Sequence, residues 1–150
     1  MSGPSAREVI QRMSRAMADL DFAAAAALVA PDYVEEWPQS GEVIHGLDNF
    51  RAMLENYPGG LIKGDLDAAD TKIIGTDERW VMTPSFSLVR VEGSGEVYTT
   101  VLRARYPDGS TWYVLSINQV RNGLIASRTT YFAPEFDAPE WRRQWVERSR

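Results

Sequence analysis

Few side chains in this chain of 150 residues are equipped for chemistry. The sequence contains no cysteine, which excludes thiolate nucleophiles, disulfides and Cys-based zinc sites. It contains one histidine, His45, too few for a multi-His metal cage. Asp65, Asp67 and Asp70 fall at i, i+2 and i+5, but this spacing lacks the other ligands and the glycine of a calcium loop, so they read as a solvated strand edge. No Gly-rich phosphate loop and no Ser-His-Asp set is present. What remains is carboxylate and tyrosine chemistry. Glu35 stands out, because the stretch Tyr33–Pro38 has the composition of a short strand. Strand alternation then puts Glu35 on one side with Tyr33 and Trp37, and Val34, Glu36 and Pro38 on the other.

The elements that must carry these residues are legible. Ser5-Ala6-Arg7-Glu8 has the form of a capping box. Val9, Ile10, Met13, Met17 and Leu20 follow at helical spacing. Asp21 caps a second, alanine-rich helix over Phe22–Val29, which Pro31-Asp32 ends. Glu42–His45 reads as a short strand broken by Gly46. A third helix spans about Leu47–Tyr57, with Phe50, Met53, Leu54 and Tyr57 on one face, and Pro58-Gly59-Gly60 stops it. Lys63–Ile74 is a weaker strand, Gly75-Thr76-Asp77 a turn, and Trp80–Val91 a strand in which Pro84 implies an edge or a bulge. Glu92-Gly93-Ser94-Gly95 turns the chain. Glu96–Tyr106, Thr111–Arg121 and Leu124–Phe132 then form an antiparallel meander, joined by Pro107-Asp108-Gly109-Ser110, which contains an Asp-Gly pair, and by Asn122-Gly123. Such pairs favour two-residue turns because both tolerate positive φ. A last helix, about Pro139–Arg148, carries Trp141 and Trp145 at i and i+4. The two rings dock either on the chain's own sheet or across a dimer.

Helices first and strands later indicate an α+β fold, with helices on one face of a curved sheet. The length suits one domain over residues 1–150, with a core of 5–132 and a helical tail of 133–150. Hydrophobic residues make up 44% and charged ones 25%, as in a globular protein. A net charge of −5 with no Lys/Arg run argues against nucleic acid as a partner. No run approaches the roughly 20 apolar residues of a membrane span. The N-terminus lacks the form of a signal peptide, so the expected location is the cytoplasm, with no membrane partner. On the second meander strand, Trp112, Val114 and Val120 share one side and Tyr113, Leu115 and Ile117 the other. One helical layer covers one face only, so a homodimer through the second face is expected.

The element order resembles the SnoaL-like branch of the NTF2-like superfamily. The residues that carry the likeness are Pro31-Asp32-Tyr33 leading into Glu36-Trp37-Pro38, then Gly41–Gly46 and a helix, and a sheet ending in Asn122-Gly123-Leu124-Ile125 and Tyr131-Phe132. The likeness covers roughly Ser5 to Phe132. It implies an NTF2-like cone, in which three N-terminal helices pack on a strongly curved antiparallel sheet around a deep, largely apolar cavity, followed here by a short C-terminal helix. Members include polyketide cyclases, ketosteroid isomerases, scytalone dehydratase, epoxide hydrolases and non-enzymatic binders, so the fold does not determine the function.

In ketosteroid isomerases a catalytic aspartate precedes the proline of the first strand. The similar position here is Trp37, which cannot accept a proton from carbon. The second isomerase acid corresponds to Asn118, which can donate a hydrogen bond to a carbonyl or enolate. If Trp37 lines the cavity, so does Glu35, and it becomes the best general acid/base candidate. Desolvation disfavours a lone carboxylate's charge and suits it to proton transfer near neutrality. A partnership with Arg128 on the last strand would instead hold Glu35 ionised, as a structural or substrate-orienting group. His45 is either a solvated or capping residue or a proton shuttle at the cavity rim, with Glu42 as partner. Tyr33, Tyr57, Tyr98, Tyr131 and Trp112 are core residues or ligand contacts with polar tips. No cofactor is expected. Three functions are open: a cofactor-independent enzyme on a small hydrophobic substrate, a non-catalytic binder of such a molecule, and an association module.

Overall fold

The structure, a computed structural model, describes residues 3–58, 81–82, 86–106 and 108–149, with residues 81–82, 86–92 and 94 described by their backbone. The expected strand over Lys63–Ile74 with its three aspartates, Gly59-Gly60, the turn at Gly75-Thr76-Asp77, and Trp80 and Pro84 lie outside the described residues.

Helix α1 (Ala6–Ala18) starts at the capping box. The Ser5 N–H donates to Glu8 Oε2 at 2.7 Å, and the Glu8 N–H donates to Ser5 Oγ at 3.3 Å. Each group satisfies a donor that the first turn would leave open. Val9, Ile10, Met13 and Ala16 then bury one face of the helix. Asp21 caps α2 (Phe22–Ala26) by accepting from the Ala24 N–H at 3.0 Å. This helix ends three residues before the expected Val29, because Val29 pairs with Ile125 and opens strand β1 (Val29–Trp37). Tertiary pairing overrides the helical preference of the alanine run. Pro31, which lacks an N–H, sits where the β1 register slips between Val29 and Val34. Strand β2 (Glu42–His45) pairs back on β1, and α3 (Leu47–Glu55) follows from Gly46 at φ 80°.

The remaining strands are β3 (Val81–Met82), β4 (Phe86–Ser94), β5 (Val97–Arg105), β6 (Thr111–Arg121) and β7 (Leu124–Pro134). They complete one seven-stranded sheet in the order β2-β1-β7-β6-β5-β4-β3. The sheet is mixed, a correction to the antiparallel expectation: β1 runs parallel to β7 and all other neighbours are antiparallel. Hairpin turns fix the direction only of strands adjacent in sequence. The first and last long strands meet through everything between them, and no local signal reports that crossover. Asn122 and Gly123 both take positive φ, at 52° and 75°, as a type I′ turn needs. At the other hairpin Gly109 takes φ 84° while Asp108 does not turn positive, and the loop closes through the Gly109 N–H to the Tyr106 carbonyl at 2.9 Å. That is a longer hairpin loop than a two-residue turn.

α1 and α2 cover one face of the sheet. Val9, Ile10, Met13, Ala16 and Ala25 meet Tyr33, Val120 and Ile125 there. The C-terminal segment is a 3₁₀ helix over Glu140–Trp145, shorter than the expected α-helix. With three residues per turn, i and i+4 no longer share a face, and Trp141 and Trp145 stand 73% and 72% exposed instead of docking on the chain's own sheet. Among the described residues, no helix is long and apolar enough to cross a membrane.

Ile125, fully buried at the β1–β7 junction, is the sensitive core position. Ile125→Ala is expected to lower the unfolding free energy by about 2–5 kcal/mol, against less than about 0.5 kcal/mol for the half-exposed Val43→Ala. Urea denaturation measures both, and equal losses would place the core elsewhere.

Candidate functional site

The sheet register lines up one row of polar side chains across four strands. Glu35 on β1 is level with Arg128 on β7, Arg128 with Asn118 on β6, and Asn118 with Tyr98 on β5. A second row sets Thr130 beside Ser116 and Ser116 beside Thr100. Level residues on neighbouring strands project to the same face, so the two rows form one buried patch. Glu35, Thr100, Ser116, Asn118 and Thr130 are each 4% exposed or less.

Hydrogen bonds define the roles in this patch. The Thr130 hydroxyl donates to Glu35 Oε1 at 2.9 Å. That uses Thr130's single proton, so in the 2.8 Å contact between the two hydroxyls Ser116 is the donor. Arg128 Nη1 lies 3.7 Å from Glu35 Oε1, an ion pair inside the protein. The Arg128 Nε–H donates to Asn118 Oδ1 at 3.0 Å. The Asn118 amide nitrogen reaches the carbonyls of Ser116 at 3.0 Å and Tyr98 at 3.1 Å and the Thr100 hydroxyl at 3.3 Å. Acceptors on one side and a guanidinium on the other fix which way the amide points. Burial pulls the Arg128 guanidinium's proton affinity down, but the charges of Tyr33 and Glu35 outweigh this and the net direction is up. Arg128 is therefore a fixed cation.

Beside this patch the fold leaves a cavity of about 680 Å³. Glu35, Ser116, Arg128 and Thr130 form its polar end. Trp37, Leu102, Trp112, Val114 and Phe132 line it from the sheet, and Met17, Phe50, Met53 and Leu54 from the helical side. Helix α3 has no buried residue, so its apolar face serves as cavity wall instead of solid core. Asn56, Pro58 and Asp108, all exposed, mark the open end. Tyr57 stacks on Tyr106 at 5.7 Å, and Trp112 meets the Tyr106 ring edge-on at 6.3 Å. Trp37 packs edge-on against Phe132 at 5.1 Å. The Gln39 amide holds that corner, accepting from the Phe132 N–H at 2.6 Å and donating to its carbonyl at 2.9 Å.

Of the residues singled out from the sequence, Glu35, Trp37, Tyr57, Trp112 and Arg128 come together at the cavity. The others are placed elsewhere. Asn118 is 1% exposed behind Arg128, with both ends of its amide engaged, so it orients Arg128 and is not free to serve as an oxyanion donor. His45 is exposed on β2, and its carbonyl accepts from Asn49 at 2.8 Å. Tyr33 lies in the core with Val9, Ile10, Met13 and Ala16 of α1, Ala25 of α2, Val120 and Ile125. Tyr98 packs against the same core and offers its carbonyl to Asn118. Tyr131 is 41% exposed, since odd-numbered β7 positions from 127 onward face away from the helices. Thr130 and Ser116 were not singled out beforehand. Their position one row over from Glu35, within hydrogen-bond reach of it through Thr130, depends on register, which alternation within one strand does not report. Among the described residues, no three His, Cys, Asp or Glu side chains gather as a metal site.

A helix-capped mixed sheet enclosing a cavity with a buried carboxylate at its inner end defines an NTF2-like protein. The chain belongs to the SnoaL-like family: the SnoaL-like domain matches residues 10–128. Among solved structures, an NTF-2-like protein of unknown function from Burkholderia xenovorans LB400 is 31% identical, with 95% of this chain and 94% of that one covered at a TM-score of 0.70. A candidate ketosteroid isomerase from Kribbella flavida is 19% identical, covering 97% and 90%, at 0.69. An LEH-like epoxide hydrolase of M. tuberculosis is 15% identical, covering 85% and 81%, at 0.55. The last two likenesses show the fold alone. No curated protein matched the chain.

Burial pushes the Tyr33 phenol up to about 12, with Arg128 opposing and Glu35 assisting. A raised folded pKa means that the native state holds the proton more tightly, so stability is complete below about pH 10 and falls as pH rises toward 12. The loss attributable to Tyr33 is about 2–3 kcal/mol, at 1.36 kcal/mol per unit. Denaturation at pH 9 and pH 12 should show a smaller fall in Tyr33→Phe than in the parent chain, and equal falls would assign the alkaline loss to other groups.

Proposed function

We propose that this chain is a cofactor-independent acid–base enzyme acting on a small, largely apolar molecule held in the cavity, with Glu35 as the proton-transfer group. The observation that carries this reading is the state of the Glu35 carboxylate. Oε1 is anchored by Thr130 and Arg128, while Oε2 has no hydrogen-bond partner among the described residues. A general base needs a fixed group that retains unused hydrogen-bonding capacity. Arg128 would orient an electron-rich ligand atom and balance the charge on the carboxylate. The cavity is of the size usual for a small-molecule site, and its aromatic walls suit a ring system. Relatives of this fold include proteins described as an epoxide hydrolase and a candidate ketosteroid isomerase. The isomerase reaction is a poor fit, since Trp37 occupies the position expected for its base.

A second reading, a non-catalytic carrier using the same cavity, is favoured by the Glu35–Arg128 ion pair, which engages the carboxylate in a contact within the protein. Two variants separate the readings. Leu54→Trp should narrow the cavity and weaken binding. Glu35→Gln should keep binding within a few-fold while lowering turnover by on the order of 10²–10⁴. The assay is a screen of enolisable ketones, hydroxy ketones and epoxides in D₂O, followed by mass spectrometry for deuterium uptake or product. Binding without turnover by the parent chain would select the carrier, and undiminished turnover in Glu35→Gln would remove Glu35 from the chemistry.

We also propose a homodimer through the helix-free face of the sheet, where Val97, Ile117 and Tyr131 are 41–47% exposed on adjacent strands. Light scattering at micromolar concentration should give twice the chain mass of 16.9 kDa. A monomeric mass would overturn it.

A further inference from the structure

Resting on that reading of the cavity, we infer that its ligand carries a neutral carbonyl group, whose oxygen accepts hydrogen bonds from the terminal N–H groups of Arg128. A guanidinium has five N–H donors. Arg128 commits one of them: its Nε–H donates to Asn118 Oδ1 at 3.0 Å. Nη1 lies 3.7 Å from Glu35 Oε1, an ion-pair distance beyond hydrogen-bond length. Neither Nη1 nor Nη2 donates a hydrogen bond to a described residue.

Those terminal nitrogens open on the cavity. Arg128 lines it and keeps 13% of its side-chain surface, against 2% for Glu35. Among the described residues, the side-chain atoms that are both closed off and unpartnered belong to Glu35 and Trp37, and Arg128 contributes none. A nitrogen that is unpartnered and not closed off is one a ligand can reach. The neighbouring polar groups have no donor to offer. The Thr130 proton goes to Glu35, the Ser116 proton goes to Thr130, and the Trp37 indole nitrogen is closed off. The cation is also fixed in place. Asn118 holds its Nε, and the Asn118 amide is held in turn by the carbonyls of Ser116 and Tyr98.

Donors without acceptors select a ligand that brings an acceptor. A hydrocarbon meets none of these N–H groups. A carboxylate would meet them, but it would set a second negative charge beside Glu35, whose carboxylate already balances Arg128, and leave an apolar site with net charge. A hydroxyl accepts too, but its proton needs an acceptor of its own, and of the Glu35 oxygens Oε1 is taken by Thr130 and Oε2 is closed off. A carbonyl oxygen has two lone pairs, no charge and no proton to place. The inferred ligand is thus a ketone or ester on an apolar frame, with its carbonyl at the inner end and the frame between Trp112, Phe50 and Leu54.

The test uses the full chain and three probes of nearly one shape: 2-acetylnaphthalene, 2-isopropylnaphthalene and 2-naphthoate. Dissociation constants come from NMR titration at pH 7 of the parent chain and of Glu35→Gln/Arg128→Met, which removes both charges so that neither is left buried alone. The ketone is expected to bind about tenfold or more weakly to the double variant than to the parent, while the hydrocarbon stays within about threefold. In the parent, naphthoate should bind about tenfold or more weakly than the ketone. A measurement on the parent alone serves if the double variant fails to fold: the infrared carbonyl stretch of bound 2-acetylnaphthalene should lie below its value in dry cyclohexane. A stretch equal to the cyclohexane value would mean that no donor reaches the oxygen, and would overturn the inference. Equal changes for ketone and hydrocarbon in the double variant would overturn it as well and leave the cavity reading standing. Naphthoate binding as tightly as the ketone would make this a site for anions and also overturn it. Binding of none of the three would reject the cavity reading together with the inference.

Discussion

A buried ion pair governs the rest of this structure. Glu35 and Arg128 lie side by side on parallel strands, and each buried charge requires compensation on every side. That requirement accounts for the polar rows across the sheet. Asn118 takes the Arg128 Nε–H, its amide nitrogen is then held by Tyr98, Thr100 and Ser116, and Ser116 turns its hydroxyl to Thr130. Four strands thus commit inward positions to one network, and their register cannot slip by a residue without leaving a charge unpaired.

The network also explains why the interior divides in two. Where α1 lies over Val120 and Ile125, apolar contacts fill the space. Where the polar rows emerge, helix α3 stands off and its apolar side becomes the wall of a cavity. The cavity is therefore apolar along its length and polar at one end. A small molecule entering from the side of Asn56 and Asp108 would meet aromatic rings first and the carboxylate last. Among the described residues, Glu35 Oε2 and Trp37 Nε1 are the buried side-chain atoms without a hydrogen-bond partner.

Family membership adds the scaffold and stops there. The SnoaL-like match covers most of the chain, and the solved relatives share a fold that hosts several activities. What this chain contributes is local: Trp37 ahead of Pro38, an amide at position 118, and a carboxylate at 35 partnered by Arg128.

Local chemistry determined a good deal without the fold. The capping box at Ser5, the inward stripe of α1, the type I′ turn at Asn122-Gly123 and the side of β1 shared by Glu35 and Trp37 all follow from interactions within a few residues, which the order of the chain contains in full. The absence of cysteine and the lone histidine bounded the chemistry in the same way. Tertiary structure decided what depends on distant strands meeting. The parallel β1–β7 pairing ended α2 early, brought Arg128 level with Glu35, and sent Tyr33 to the core and Tyr131 to the far face. Asn118 changed from a presumed ligand contact to a support for Arg128 for the same reason. Register between strands separated by some ninety residues is set by the burial of both faces at once and the pairing of every buried charge, and neither quantity is a property of any short stretch of sequence.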